Sequence, residues 1–276
     1  MLTQVKIILL LLFVFTLSCG KNQPIHLSGE TMGTAYQITI VNNANNKYDA
    51  TQLQKKIDSL FTQINNIFST YIENSELTQF NDTLSLVPIK ISSEFSELYE
   101  KAVSISLSSD GSFDFTVLPL VNLWGFGPEF KKSKIPSQEK INDIMHYTGI
   151  NKLELTDGYL SKLDKSVQID FSAIAKGWGV DQAAIFLNDE GFEFQLAILG
   201  KNFKTTPSIF DDSKQKLSDK IVHFGFCESF ESYAQWLWKA DILPVTNIQD
   251  FFGISIMEAL YCDVYPILPN RLTYPE

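Results

Sequence analysis

The sequence has 276 residues, of which 45% are hydrophobic and 20% are charged. This composition is typical of a globular protein, and it excludes wholesale disorder, a collagen-like fibre and a membrane protein with several spans. The formal net charge of -10 argues against nucleic acid as the main partner, since phosphate binding requires a basic surface. Three cysteines are too few for a disulfide framework.

Residues 1–18 are predicted to be a signal peptide. Lys6 precedes an apolar run, Ile7–Phe15, that is too short to cross a bilayer as a helix, which takes about 20 residues. The small residue before Cys19 resembles the lipobox of bacterial lipoproteins, in which the cysteine is acylated. Cys19 is therefore the predicted lipidation site of a protein anchored in the bacterial cell envelope, facing the periplasm or the exterior. An ordinary cleaved signal, or a buried helix with a chance cysteine, is the alternative.

Hydrophobic periodicity predicts the elements that follow. Strands are expected at Tyr36–Val41, Lys152–Leu155 and Val167–Phe171, and helices at Thr51–Phe68, Ser93–Leu107 and Ala175–Leu187. Asp157–Gly158 is expected to form a hairpin turn. After Gly191 short strands and helices alternate regularly, which favours a parallel sheet. Those strands are expected at 196–199, 221–224, 242–245 and 265–268, and those helices at 208–217, 231–239 and 254–261.

Four segments of the first part carry residues suited to a flat, phosphorylated ligand. They are 29–34, 69–77 with Asn81, 111–127, and 170–177 with Asp181. Lys176 at a helix start suits a phosphate, while Tyr71, Trp124 and Phe126 offer rings for stacking. Asp114 and Asp170 can accept hydrogen bonds from ring nitrogens or bind a hard cation.

The same residues also suit purely structural roles. Gly125 and Gly127 can be turn residues, Trp124 a core residue and Lys176 a solvated lysine at a helix start. Residue types alone favour this structural interpretation.

The order and separation of the four segments resemble the FAD:protein FMN transferase (ApbE-like) family over about residues 25–194. The strongest matches are Phe113-Asp-Phe-Thr116 continuing to Trp124-Gly-Phe-Gly127, and Asp170-Phe-Ser-Ala-Ile-Ala-Lys-Gly177. The resemblance implies a Mg²⁺-dependent enzyme that moves the FMN half of FAD onto a Thr or Ser hydroxyl of a target flavoprotein and releases AMP. By matching positions it implies FAD contacts at Met32, Tyr71, Ser112, Phe113, Asp114, Asp170 and Lys176, and a Mg²⁺ ligand at the Ala173 carbonyl.

The resemblance stops before the family pattern does. Family members continue with a Gly-Gly strand, a histidine segment near the flavin, and an Asp and Thr that complete the metal site. Here Gly200-Lys201 replaces Gly-Gly, and the surroundings of His223 do not match. With Ala173 alone, Mg²⁺ has too few ligands. A flavin-binding lipoprotein without catalytic activity is therefore a second expectation.

Residues 195–276 resemble the nucleotide-binding half of a retaining GT-B glycosyltransferase, in particular the tRNA-queuosine mannosyltransferase group. The matching stretches are Leu196–Lys201, His223–Phe226, Ala240–Asp241 and Asp250–Ala259. The resemblance implies that Asp250 faces the donor sugar of a sugar nucleotide and Glu258 its ribose. Gly253 would open a helix towards the diphosphate. Two ordinary carboxylates on a helix are the alternative.

The two resemblances meet near Phe194–Gln195, and both are incomplete. This favours a hybrid of two genes over an evolved bifunctional enzyme. The expected architecture is an α+β, flavin-transferase-like domain over 25–194, followed by an α/β, half-Rossmann, GT-B-like fragment over 195–276. Each part is expected to leave sheet edges or apolar faces exposed.

Overall fold

A computed structural model describes residues 24–41, 48–128, 135–200, 208–245 and 253–268. The chain divides into two compact units, residues 1–190 and residues 191–276. The predicted signal peptide and lipidation site, Cys19, lie outside the described residues, and so does Asp250. Within the described ranges no helix has the length and apolar character needed to span a membrane.

The first unit combines antiparallel strands with helices. Its strands are β1 (Ile25–Thr31), β2 (Thr34–Ile40), β3 (Ile89–Lys90), β4 (Leu153–Thr156) and β5 (Tyr159–Lys162). Its helices are α1 (Ala50–Phe68), α2 (Glu76–Asp82), α3 (Ser93–Ser108), α4 (Leu118–Leu123), α5 (Gln138–Met145) and α6 (Ala175–Asp189). β1 and β2 form a hairpin, and a second sheet has the order β3-β5-β4. This is the α+β organisation that the sequence predicts.

Capping side chains mark where α1 and α3 begin. The carboxylate of Asp49 accepts a hydrogen bond from the Thr51 backbone N–H at 2.9 Å, at the start of α1. Ser92 does the same for the Phe95 backbone N–H at 3.2 Å, at the start of α3. Such caps satisfy N–H groups that have no partner inside the helix. The predicted starts of both helices are therefore within one residue of the observed ones.

An aromatic cluster forms the core of the first unit. α1 turns a single apolar face inward, made of Leu53, Ile57, Phe61, Ile64 and Phe68. The Phe68 ring centroid lies 6.0 Å from that of Phe95, 5.8 Å from that of Phe171 and 5.1 Å from that of Trp178. The cluster joins α1, α3 and α6 to the segment that precedes α6, so it fixes that segment in place.

The predicted strand at Val167–Phe171 is wrong. Every second side chain of this segment is fully buried, namely Val167, Ile169 and Phe171. The backbone nevertheless pairs with no strand in the described part of the chain. The Ile169 N–H donates to the Asn81 side-chain oxygen at 2.7 Å, and the Asp170 N–H donates to the Phe115 carbonyl at 2.8 Å. The alternation of apolar residues therefore indicates only which side chains are buried. The Asn81 side chain and the Phe115 loop make the backbone hydrogen bonds that a neighbouring strand would otherwise make.

The β1–β2 hairpin has a tight connection that the sequence does not reveal. Met32 and Gly33 form a two-residue loop with φ of 51° and 69°, which indicates a type I′ turn. Asp157 and Gly158, with φ of 52° and 76°, make the same kind of connection between β4 and β5, as predicted. Asp-Gly is a preferred pair for this turn and Met-Gly is not, so β1 is missed.

The second unit alternates strands and helices, as expected. Its strands are β6 (Leu196–Leu199), β7 (Ile221–Gly225), β8 (Ile242–Pro244) and β9 (Tyr265–Ile267), and its helices are α7 (Ser208–Lys216), α8 (Phe230–Lys239) and α9 (Ile254–Tyr261). β6 pairs with β7 and β8 pairs with β9, both in parallel. The described strands form two separate two-stranded sheets, so one continuous half-Rossmann sheet is not observed.

Few side chains are fully enclosed in the second unit. Its buried cluster consists of Leu237, Ala259, Cys262 and Val264. On the outside, the Trp238 and Tyr261 rings lie 6.4 Å apart and are 63% and 83% exposed. Large exposed apolar side chains of this kind are what the sequence leads us to expect for this part.

Candidate functional site

Two loops with the pattern Asp-Phe-Ser/Thr hold the predicted aspartates in the same way. The Asp114 carboxylate accepts hydrogen bonds from the Thr116 backbone N–H at 2.8 Å and from the Thr116 hydroxyl at 2.6 Å. The Asp170 carboxylate accepts a hydrogen bond from the Ser172 backbone N–H at 2.8 Å and another from the Ser172 hydroxyl. Each carboxylate is therefore oriented by its own loop.

The two aspartate loops lie against each other. The Phe115 and Phe171 rings stack with centroids 5.6 Å apart and an interplanar angle of 24°. The backbone N–H of Asp170 donates to the Phe115 carbonyl. Both rings are buried, while both aspartates are half-buried. The structure thus brings Asp114 and Asp170 to one edge of the core, where each carboxylate keeps acceptor capacity for a ligand.

The Asp170 loop leads directly into α6, whose first turn is a candidate anion site. No side chain in the described part of the chain caps α6 at Ile174, and its first turn contains no acidic residue. Lys176 is exposed in that turn, and Ala173 is exposed just before it. The N–H groups and dipole at a helix N-terminus attract anions, and the Lys176 ammonium adds a full positive charge. A phosphate or diphosphate suits this end of the helix.

Met32 is held in an unusual conformation at the tip of the β1–β2 hairpin. Its φ of 51° lies in the left-handed region, which non-glycine residues adopt rarely and with strain. Its methyl group lies 2.9 Å from where a Cβ at Gly179 would stand. Gly179 is buried in α6, three residues after Lys176, and its missing side chain makes room for Met32. The hairpin tip therefore rests on α6 close to the candidate anion site.

The remaining predicted contact residues lie on two loops. Ser112 is exposed and Phe113 is half-buried, and the Phe113 ring centroid lies 6.3 Å from that of Phe115. Tyr71 is 71% exposed on the loop between α1 and α2. Ser75 shapes that loop, because its hydroxyl donates to the carbonyl of the α1 C-cap residue at 2.5 Å. Phe113 therefore adjoins the aspartate loops, whereas Tyr71 belongs to a different loop.

The Trp124–Gly127 stretch ends α4 and has a structural role. Gly125 has a φ of 79°, and a Cβ at Gly127 would lie 1.7 Å from the Asn122 side-chain oxygen. The backbone conformation favours glycine at 125, and the Asn122 side chain occupies the space that a side chain at 127 would need. Trp124 and Phe126 are 40% and 73% exposed, so both rings lie at the surface rather than in the core.

The donor atoms of the residues that the structure describes do not by themselves complete a Mg²⁺ centre. Ala173 is exposed, so its carbonyl is accessible. Among the residues that the structure describes, no three His, Cys, Asp or Glu side chains come together as a metal-binding group. Asp114 and Asp170 each use one carboxylate oxygen, Oδ1, for hydrogen bonds within their own loops, which leaves one further oxygen on each. Since Mg²⁺ requires near-octahedral coordination by about six oxygens, this set falls short.

Sequence reasoning misses a buried lysine that holds the end of α2. Lys162 is 2% exposed, and its Nζ donates to the carbonyls of Asn81 and Thr83, each at 3.0 Å. Its Nζ also lies 4.8 Å from the Phe80 ring centroid. Burial lowers the pKa of Lys162 to about 8, against the opposing effect of Asp82. The available signal is its place in β5, where every second residue is buried.

In the second unit, Glu258 has a structural partner. Its carboxylate accepts a hydrogen bond from the Tyr233 hydroxyl at 3.0 Å. Burial, followed by this hydrogen bond, raises the pKa of Tyr233 to about 12. Gly253, with a φ of 68°, begins α9. Because Asp250 lies outside the described residues, its pairing with Glu258 around a sugar nucleotide stays a prediction.

A cavity of about 380 Å³ lies where β6 and β7 end and α8 begins. Its lining includes Cys227, Ser229 and Tyr233. The carboxyl edge of parallel strands is a common ligand site in α/β proteins. The lining contains neither Gly253 nor Glu258, so these two predicted sugar-nucleotide residues do not line this cavity.

A sequence model described as the ApbE family matches residues 32–208. The matched stretch begins at Met32 and contains both aspartate loops and α6. It continues past the predicted junction at Phe194–Gln195 and includes β6.

Curated relatives carry the same description. The FAD:protein FMN transferase of Vibrio cholerae is 39% identical over 178 residues, which are 64% of this chain and 53% of that protein. The FAD:protein FMN transferase of Haemophilus influenzae is 36% identical over 173 residues, 60% of this chain and 50% of that protein. The chain thus spans about half the length of these relatives.

Solved structures agree with the sequence comparisons. The flavin transferase ApbE from Vibrio cholerae is 40% identical with a TM-score of 0.60, covering 62% of this chain and 55% of that one. The apo flavinyl transferase ApbE of Pseudomonas stutzeri is 30% identical with a TM-score of 0.59, covering 62% and 55%. These likenesses give no support to the glycosyltransferase interpretation of residues 195–276. Since the family model matches well over half of the sequence, the chain belongs to the ApbE family.

Proposed function

We propose that this chain is a transferase that takes FAD as donor and moves its FMN half onto a Thr or Ser hydroxyl of a target flavoprotein. The observation that carries the proposal is the pairing of the Asp114 and Asp170 loops directly before α6, whose first turn is uncapped and holds Lys176. The relatives named FAD:protein FMN transferase support it. They match over about half of their own length.

Each predicted contact residue has a role in this proposal. Lys176 and the N-terminus of α6 hold the diphosphate, because both favour negative charge. Asp114 and Asp170 accept hydrogen bonds from ring N–H groups or hydroxyls of the nucleotide. Phe113 and Tyr71 provide aromatic surface, Met32 provides a polarisable thioether against a ring, and Ser112 adds a hydroxyl.

The transfer forms one phosphoester bond and breaks one diphosphate bond. The acceptor hydroxyl attacks the phosphorus on the FMN side and loses its proton to solvent, while the oxygen that joins the two phosphates leaves with AMP. The residues described above bind and orient the donor for this displacement. Mg²⁺ dependence is proposed from the match at Ala173, and no step is assigned to the ion because the described donors do not hold it.

We also propose a cellular location and a partner for the protein. The match of Cys19 to a lipobox supports a lipid anchor in the bacterial cell envelope, and the target flavoprotein would then lie on the same side of the membrane. Cys19→Ser should move the chain from the membrane fraction to the soluble fraction. An unchanged distribution would overturn the anchor.

Titration of the purified full chain with FAD, followed by flavin fluorescence, tests the binding part of the proposal. AMP release with and without Mg²⁺, measured by chromatography, tests the transfer part. We expect micromolar FAD binding that Asp170→Ala weakens, and Mg²⁺-dependent AMP release. Binding without AMP release would instead identify a non-catalytic flavin-binding protein. An absence of binding would reject both.

A further inference from the structure

Asn81, at the end of α2, makes two hydrogen bonds with one backbone residue. Its side-chain Nδ2 donates to the Ile169 carbonyl at 2.8 Å, and its Oδ1 accepts from the Ile169 N–H at 2.7 Å. Asn81 is 4% exposed and Ile169 is fully buried. The primary amide offers one donor and one acceptor side by side, which matches the backbone groups of Ile169.

The peptide group that joins Ile169 to Asp170 is held at both ends. Its carbonyl accepts the bond from Asn81, and its N–H donates to the Phe115 carbonyl at 2.8 Å. A peptide group is planar, so two opposed bonds fix its rotation. The Cα of Asp170 is bonded directly to the N–H of this peptide group. Asn81 therefore helps to set the direction in which the Asp170 side chain projects from the backbone.

The backbone of Asn81 is anchored in turn. The Lys162 Nζ donates to the carbonyls of Asn81 and Thr83, which lie at the end of α2. Lys162 is itself buried, so this anchor is shielded from water. One hydrogen-bonded series thus runs from Lys162 through Asn81 and Ile169 to Asp170.

We propose that Asn81 is a positioning residue of the FAD site, acting through the Ile169–Asp170 peptide to orient the Asp170 carboxylate. The inference rests on the proposed function, because it assumes that Asp170 contacts FAD. It assigns no direct ligand contact to Asn81, whose side chain is buried and bonds Ile169 through both Nδ2 and Oδ1.

Asn81→Asp in the full chain tests the proposal through pH. An ionised carboxylate has no donor and places negative charge against the Ile169 carbonyl, whereas a protonated carboxyl restores one donor and one acceptor. Burial and that carbonyl favour the protonated form, and the Lys162 ammonium favours the ionised one. Asp82, the next residue in the sequence, and Asp170, which follows Ile169, oppose ionisation. We expect FAD binding about tenfold weaker than wild type at pH 8, recovering towards wild type as the pH falls to 5.

Two variants provide the controls. Asn81→Ala cannot titrate, so its loss of affinity relative to wild type should be independent of pH. Leu77→Ala removes a fully buried side chain from the same helix, so it should lower stability without this pH-dependent loss. All titrations are made at a temperature where thermal unfolding shows each variant to be folded. Wild-type affinity in Asn81→Asp at every pH, or an equal pH-independent loss in all three variants, would overturn the positioning role.

Hydrogen exchange separates this inference from the proposed function. If the wild-type chain binds no FAD, the function fails, and deuterium uptake in the peptide covering 167–172 still tests the structural link. Faster uptake there in Asn81→Ala than in Leu77→Ala would retain the role of Asn81 in holding Asp170. Equal uptake in the two variants would reject it.

Discussion

The backbone N–H of Asp170 donates a hydrogen bond to the carbonyl oxygen of Phe115 at 2.8 Å. This single bond joins two loops that are far apart in sequence, and the rings of Phe115 and Phe171 stack beside it. Displacing either loop therefore disturbs the other. The two aspartates next to these rings therefore share one structural support.

Removal of the Phe171 ring should destabilise the first unit strongly. Phe171 is fully buried, and its ring contacts those of Phe68, Phe95 and Phe115. Phe171→Ala should lower the free energy of unfolding by about 3–5 kcal/mol, as for other large-to-small core changes. Urea unfolding followed by tryptophan fluorescence measures the loss. Phe126→Ala, at a ring that is 73% exposed, is the matched control and should change stability by less than about 0.5 kcal/mol.

Lys176→Ala should weaken FAD binding by about 10- to 100-fold, because a charge-assisted hydrogen bond to phosphate is lost. Fluorescence titration at low and moderate salt measures the effect, and the wild-type affinity should fall with salt more steeply than that of the variant. Lys140→Ala, at an exposed lysine on α5, is the control. Equal affinity losses in the two lysine variants would point to a general effect of net charge instead of a phosphate contact.

Lys162 should make the first unit more stable as the pH rises. Its pKa of about 8 in the folded protein lies below the ordinary lysine value of 10.5. Between these values the unfolded chain binds more protons than the folded one, so the free energy of unfolding increases with pH. Below pH 8 the burial penalty is present in full. Urea unfolding at pH 7.5 and 9.5 should differ by about 2 kcal/mol in favour of the higher pH.

The control for this pH dependence is Lys162→Met, which keeps a long side chain but has no titrating group. Its stability should change little between pH 7.5 and 9.5. Tyr36 and Tyr99 have pKa values raised to about 12 and oppose the trend only above pH 10. A wild-type protein whose stability stays level or falls between pH 7.5 and 9.5 would contradict the assignment to Lys162.

Glu258 and Tyr233 should be coupled energetically in the second unit. Each of Glu258→Ala and Tyr233→Phe should lower the stability of that unit, because a partly buried group loses its hydrogen-bond partner. In a double-mutant cycle the coupling should be about 1–2 kcal/mol. The emission of Trp236 and Trp238 reports on this unit, provided that Trp124 and Trp178 are replaced by Phe. Strictly additive effects would show that the hydrogen bond contributes nothing.

The elements that the sequence predicts well are those with local signals. α1 and α3 have both a clear apolar face and a capping residue, and the Asp157–Gly158 turn has its preferred residues. The segment at Val167–Phe171 is mispredicted because alternation reports which side chains are buried and says nothing about what pairs with the backbone. β1 is missed because Met32 is a rare residue for its turn.

The candidate site follows a similar division. The resemblance to the family points to Asp114, Asp170 and Lys176, and the structure places them on adjoining loops and the helix that follows. The supporting residues Lys162 and Asn81 act through long-range hydrogen bonds, which leave no periodic pattern. Similarity to a family motif identifies the residues that face a ligand. It identifies less readily the residues that hold the ligand-facing residues in position.

The aspartate loops also bear on how quickly and how selectively a ligand is recognised. Each carboxylate already makes two bonds within its loop, so its rotamer is set before any ligand arrives. A mobile side chain loses conformational entropy on binding, and these two have lost it on folding. Under the proposed function, Asp114 and Asp170 are therefore preorganised for a ligand, and a ligand whose donors point in other directions would gain no compensating rearrangement of these side chains.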